Sequence, residues 1–422
     1  MSLINSVLKV CGSELTVRVC GYLLIPFYLQ IRTKNQIGEF TYLISFIASF
    51  ASILTFSIYI PQNHLASISK SSEQKKIIFF TTLVFVFLIS SVITFTSLAL
   101  GFTVYLFEFM GFSINNIYLK SLITTFLLII TSVNLVVLTQ NIISKNMKNL
   151  ILFTFIKFIS INLTSVIFLY YQISGLDGTV DRLLGVLFGE FFLCIIFLSI
   201  FLRPFIKSKI DFNYLKDGLK SSFPLTIAAI FSVIYTISDR YFIVKYFNIS
   251  ELADYNVAHL FLSPIIILSA SFLNVWSPIF FAQSKTRFNT KIMLKNMISL
   301  FAIVFSIVIL IGISIIGGLY LGVIPKDYSN VPTYIFFLSL NYCFLCYKGI
   351  FEIYFVKFYG SKIILICTSI QAISSVFLGY KLIPDMGVYG AIVASSISNV
   401  LVILLYFTFT PIISSKYNLR RI

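Results

Sequence analysis

Long apolar runs separated by short polar breaks fill the sequence from end to end. The runs fall at about residues 6–31, 38–60, 77–100, 118–143, 150–172, 183–202, 222–245, 256–281, 297–322, 331–356, 362–382 and 387–411. A helix rises about 1.5 Å per residue, so a run of ~20 residues crosses a hydrocarbon core ~30 Å thick. The strands of a transmembrane β-barrel are ~10 residues long and alternate apolar with polar positions. The continuous stretches at 77–100 and 298–321 do not have that form. Secure breaks combine charge with turn residues, at 62–76, 203–220, 283–295 and 326–331. The nearly apolar stretch 101–116 reads as a re-entrant or interfacial segment, which leaves the count between eleven and thirteen spans. Glu14 and Arg18 interrupt the first run and no small-residue cleavage pattern follows it, so it reads as a transmembrane helix and not a cleaved signal.

Composition removes the soluble alternatives. Only 11% of the 422 residues are charged and 58% are hydrophobic, against about 25% charged in an ordinary soluble domain. Twelve spans with short loops use up most of the chain and leave no room for a separate catalytic domain. A net charge of +16 would suggest nucleic acid in a soluble protein. Here the basic residues orient the helices, and no nucleic-acid partner is expected. If the N-terminus is cytoplasmic, twenty Lys and Arg fall in the termini and the loops of that side, among them Lys70, Lys75, Lys145, Lys148, Arg203, Lys216, Lys291 and Arg420. The opposite loops hold seven: Arg32, Lys34, Lys120, Arg182, Lys245, Lys326 and Lys381. The remaining four lie inside spans. This bias puts both termini in the cytoplasm and favours an even number of spans, twelve.

The long basic linker near the middle divides the chain into residues 1–205, a linker at 206–221, and residues 222–422. Weak internal echoes support the division. Ile37–Phe46 resembles Leu252–Phe261, and Gly175-x-x-Gly178 precedes the last span of the first half as Gly387-x-x-Gly390 does in the second. The expected fold is therefore an all-α membrane protein of about twelve transmembrane helices, in two six-helix bundles related by a pseudo-two-fold axis along the membrane normal. An even number of spans per half gives both halves the same orientation, a layout used by transporters that hold substrate between the halves.

Charges inside the spans are costly and are functional candidates by default. The basic ones are Arg18, Lys157, Arg240 and Lys348, expected to line a substrate cavity. The acidic ones are Glu14, Glu190, Asp239 and Glu352, expected to carry a coupling ion or to balance charge. Glu14 and Arg18 share a helix face at i, i+4, as do Lys348 and Glu352, so each pair can neutralise itself. Asp239 and Arg240 are adjacent and point in different directions. Arg240 lies close enough to the end of its helix to snorkel to the interface. Arg18 and Glu190 lie deepest, which makes Arg18 the leading candidate for an anionic substrate. His64 reads as solvated and His259 as structural. The cysteines at 11, 20, 194, 343, 346 and 367 lack the partners of a metal site, and Cys343 and Cys346 read as small apolar residues in packed helices. No phosphate-binding loop of the GxxxxGK[ST] form occurs. An ion gradient, H+ or Na+, is the expected energy source, with no catalytic residue, metal or cofactor.

Phe223-Pro224-Leu225-Thr226, Asp239-Arg240, the acidic Ala253-Asp254-Tyr255 and Trp276-Ser277-Pro278 together resemble the start of the second half of O-antigen and polysaccharide flippases. These form the oligosaccharide-lipid branch of the multidrug/oligosaccharidyl-lipid/polysaccharide exporter superfamily. Ile25-Pro26-Phe27 and Ile37-Gly38-Glu39-Phe40 echo the pattern in the first half. The resemblance implies a bacterial inner-membrane protein that moves an undecaprenyl-pyrophosphate-linked oligosaccharide between leaflets by alternating access. It also implies work beside an O-antigen polymerase and chain-length machinery. The family's cationic cavities are not matched here, since the charges within the spans sum to zero. The alternative within the superfamily is a multidrug or other lipid-linked-precursor exporter. A membrane-embedded O-antigen polymerase is the enzyme alternative, but it carries a large outer loop with arginines, and the outer loops here are short.

Overall fold

The computed structural model describes residues 24–62, 71–112, 115–143, 147–202, 209–282, 306, 309–359 and 361–416. Every ordered element among them is helical. The long helices are α1 (Lys34–Leu54), α2 (Ser72–Ala99), the short α3 (Phe102–Phe109), α4 (Ile117–Ile143), α5 (Met147–Tyr171), α6 (Gly178–Leu202), α7 (Phe212–Tyr246), α8 (Ile249–Ala282), α9 (Val331–Tyr359), α10 (Ser361–Met386) and α11 (Val388–Lys416). Residues 24–31 and Ile309–Tyr320 are also helical. Among the described residues, nine helices are long and apolar enough to cross a membrane.

The chain clusters into two compact units, Glu39–Val233 and Ile234–Ile422 with residues up to Gly38. In the Glu39–Val233 unit, α5 lies along α6, and α4 packs on α2 and α6. The α5–α6 contact is close because Gly185 and Gly189 lie one turn apart on α6. A Cβ on either would collide with the α5 backbone at Ser165 or Ile161. Removing side chains lets two backbones approach where lipid offers no hydrophobic drive. The Thr164 hydroxyl then reaches across to the Gly185 carbonyl at 2.6 Å. The interior is filled by Ile58, Phe79, Val86, Val136, Phe153, Leu193 and Phe197.

In the other unit, α9 packs on α8, α10 and α11, and α10 lies along α11. Gly175 and Gly387, the paired glycines of the internal echo, both adopt left-handed backbone (φ +64° and +59°), the first shortly before α6 and the second just before α11. Glycine is the residue that occupies that region without a Cβ penalty.

The segments at 38–60 and 206–221 differ from the sequence expectation. The run at 38–60 is broken, because α1 ends at Leu54 and Phe56 and Ser57 take positive φ (50° and 49°). The break is buried, with Thr55 and Ser57 almost inaccessible, and Thr226 Oγ1 donates to the freed Phe56 carbonyl at 2.7 Å. Irregular backbone at membrane depth is tolerated where protein covers it. The stretch at 101–116 holds α3, which buries Thr103 and Phe107 and exposes Phe102, Tyr105 and Phe109, the division expected of an interfacial helix. Helix α7 begins at Phe212, so residues 212–221 of the predicted linker are helical.

Candidate functional site

Each unit carries its own buried polar cluster. In the Glu39–Val233 unit, the mid-helix carboxylate of Glu190 on α6 takes Lys157 Nζ of α5 at 2.9 Å. Asn134 of α4 completes it, its amide donating to Glu190 Oε2 at 2.6 Å and to the Glu190 carbonyl at 3.3 Å. Lys157 is about one-third exposed while Glu190 is buried. Nearer one end of the same unit, Lys120 is wholly inaccessible and bonds Glu39 at 2.8 Å, with Asp177 at 3.5 Å. Thr179 adds a hydroxyl to the second Glu39 oxygen at 3.2 Å. Lys120 had read as an outer-loop residue. It is instead a core cation in the first turn of α4, because Glu39, distant in sequence, comes to meet it.

In the second unit a polar chain crosses the helices of the interior. Lys348 on α9 donates to Gln371 of α10 at 2.5 Å and sits 3.6 Å from Glu352. Gln371 donates to Asn399 of α11 at 2.5 Å. Asn399 in turn donates to Tyr235 of α7 at 2.9 Å and to Asn341 of α9, whose amide reaches Ser395 at 2.8 Å. One turn beyond Tyr235 on α7 stands Asp239, buried, with Tyr255 of α8 donating to its Oδ2 at 3.1 Å. Its Oδ1 has no hydrogen-bond partner among the described residues. Next to it on α8, His259 Nδ1 shares a proton with the Tyr342 hydroxyl of α9 at 2.6 Å. Arg240 is buried too. It does not extend towards the interface but turns inward, donating to Asn256 Oδ1 at 3.1 Å and to the Thr236 carbonyl at 2.6 Å. No carboxylate lies within ion-pair distance of it among the described residues.

The candidates are thus distributed. Lys157 and Glu190 meet, as do Lys348 and Glu352, while Asp239 and Arg240 address neighbouring residues of α8. Glu14 and Arg18 lie outside the described residues, as do Cys11, Cys20 and His64. Cys194, Cys343, Cys346 and Cys367 are buried free thiols. No cluster of His, Cys, Asp and Glu suited to a metal occurs among the described residues. Sequence reasoning passed over the amides Asn134, Asn341, Gln371 and Asn399. Their signal was present: uncharged amides in the middle of apolar runs, where an unmet polar group costs several kcal/mol.

No protein-family model matches the sequence, and no curated protein matches it. Solved structures do. The chain is similar over 100% of its length to a multidrug resistance MATE family transporter of the MOP superfamily in its outward-facing conformation, at a TM-score of 0.71 and 14% identity, covering 96% of that chain. The fold is that of the MATE transporters. An inward-facing conformation of a multidrug resistance MATE family transporter matches 98% of the chain and 95% of its own length, at 0.63 and 14% identity. A MATE in the straight conformation matches 98% and 96%, at 0.68 and 13%. With that likeness, the chain is an all-α, multi-pass membrane protein of transporter fold, as its hydropathy pattern indicates. Identities this low carry the fold and not the substrate.

Proposed function

We propose that the chain is an exporter of amphipathic molecules, working by alternating access and driven by an ion gradient. The observation that supports this most is the likeness over nearly the whole chain to transporters solved in both outward- and inward-facing conformations. Asp239 is the carboxylate best placed to carry the coupling ion. It is buried, receives one hydrogen bond from Tyr255, and has an oxygen that no group among the described residues satisfies. A bare carboxylate in low dielectric costs several kcal/mol, which binding a proton or Na+ relieves.

Two substrates are in view. The multidrug reading is favoured by the described function of the structural neighbours. It also fits the lysines of the helix interiors, buried Lys120 and Lys348 and half-buried Lys157, since each has a carboxylate partner and so offers little free positive charge to a pyrophosphate. The undecaprenyl-linked oligosaccharide reading is favoured by the Phe223–Thr226, Asp239-Arg240 and Ala253–Tyr255 segments, and by Arg240, whose guanidinium has no carboxylate within ion-pair distance among the described residues.

Deletion of the gene separates them. A drug exporter leaves the deletion strain retaining several-fold more ethidium, and the intact gene restores efflux. Unchanged ethidium with lipid-linked oligosaccharide accumulating in the inner leaflet assigns the flippase role. If neither substrate accumulates, the exporter reading fails.

A further inference from the structure

The loop after the first predicted span, the turn between α7 and α8, and the turn before α9 all belong to the side poor in Lys and Arg. They meet at one point inside the unit formed by residues up to Gly38 and Ile234–Ile422. Lys34, the first residue of α1, donates to Asp254 Oδ2 at 2.8 Å and to the Asp327 carbonyl at 3.0 Å, with its ammonium 5.4 Å from the centre of the Tyr328 ring. Asp254 is inaccessible, whereas Lys34 keeps about a fifth of its side chain in solvent. Gln30 ties the same segment down a second time, its amide donating to the Val323 carbonyl at 2.9 Å. Gly38 makes the third contact. A Cβ there would collide with the Ile249 carbonyl and Ala253, so α1 and the start of α8 approach closely.

Beyond Gly38 the same helix belongs to the other unit. The fastening therefore holds only the leading turn of that helix. Its polar parts are few, lie at the end of the helix and are partly wet. That makes them reversible, unlike the fully enclosed Lys120–Glu39 pair. A rigid structural bridge would be expected to close both carboxylate oxygens, yet Asp254 Oδ1 has no hydrogen-bond partner among the described residues.

We infer that Lys34 and Asp254, with Gln30 and the Val323–Tyr328 turn, form a latch that is made in one state of the transport cycle and released in the other. The inference rests on the exporter reading for its role but can be tested apart from it. The test uses the full chain in nanodiscs and proteoliposomes, with the six native cysteines replaced by alanine. In Lys34→Cys/Asp254→Cys, a short bismethanethiosulfonate bridges the two positions, because a Lys–Asp pair spans more than a direct disulfide reaches. Cross-linking is expected to slow ethidium or lipid-linked oligosaccharide export at least tenfold, and dithiothreitol to restore it. Undiminished export by quantitatively cross-linked protein overturns the latch and leaves the exporter reading standing.

If the parent moves neither substrate, the exporter reading fails, and spin labels at Ile31→Cys and Val323→Cys decide the latch alone. Two distance populations are expected, with the shorter depleted by Lys34→Ala. A single short population, with or without Lys34 and under either a proton or a sodium gradient, overturns it.

Discussion

Lys120 is enclosed by protein on every side, with Glu39 and Asp177 as its carboxylate neighbours. Removing one partner of a buried pair leaves the other charge stranded, at about 3–5 kcal/mol, whereas replacing both with apolar groups is often neutral or stabilising. Lys120→Met is therefore expected to lower the thermal midpoint in detergent sharply, and Lys120→Met/Glu39→Leu to recover most of the loss. A double variant no better than the single would show that Asp177 carries the pairing instead. For Asp239 the readout is transport. Asp239→Asn preserves shape and the Tyr255 contact but cannot gain or lose a proton, so gradient-driven export should fall at least tenfold, with Asp239→Glu retaining part of it. Export by Asp239→Asn at the parental rate would move the coupling role elsewhere. These residues were only partly legible in the sequence. The charges deep in apolar runs, Lys157, Glu190, Asp239 and Lys348, stood out by cost alone. Lys120 and Glu39 did not, because each lies within a few residues of a span end, and nothing local says that a partner far along the chain will enclose it.

At the scale of elements, hydropathy located the helices and missed their ends. It reports where lipid stops, not where the helix stops, so α7 already includes Asn213, Lys216, Asp217 and Lys220 and runs on past Pro224, which cannot donate to the Lys220 carbonyl. The interruption at Phe56 and Ser57 has one local signal, Pro61, which lacks the N–H that would bond the Ser57 carbonyl four residues earlier. It is sustained by Thr226 of a different helix, through a contact that no local pattern encodes. The α5–α6 pair was legible in principle, since Gly185-x-x-x-Gly189 is a known signature of close helix approach. Gly189→Leu is expected to force those helices apart at about 1–3 kcal/mol. Gly387→Ala, by contrast, strains only its turn, at about 1–2 kcal/mol. Thermal unfolding should rank them in that order and show a broadened transition for Gly189→Leu alone. Equal, small shifts would mean that α5 slides aside without loss.

For the whole molecule, the regular alternation of basic and neutral loops carried more information than any motif. It depends on every helix being counted, and one error would have reversed the charge bias for the rest of the chain. It predicts that a cysteine placed at Arg420 is shielded from a membrane-impermeant maleimide in intact cells, whereas one at Lys326 or Lys381 is labelled. The reverse pattern would invert the topology and with it the side on which Lys34 and Asp254 stand. Substrate stayed illegible for a physical reason. Selectivity rests on a few side chains, and Arg18, which with Glu190 is the deepest of those foreseen, falls outside the described residues.

The boundary between the two units falls inside α7, between Val233 and Ile234, and inside α1, after Gly38. Cutting the gene at the α7 boundary would leave the downstream product starting with residues 234–246, about 20 Å of helix, which falls short of a ~30 Å hydrocarbon core. The two units are thus not separable translation products. Neither can be inserted into a bilayer complete without borrowing a stretch of helix from the other. A split gene that still works should be one divided in the polar stretch before Phe212, leaving α7 whole on the second polypeptide.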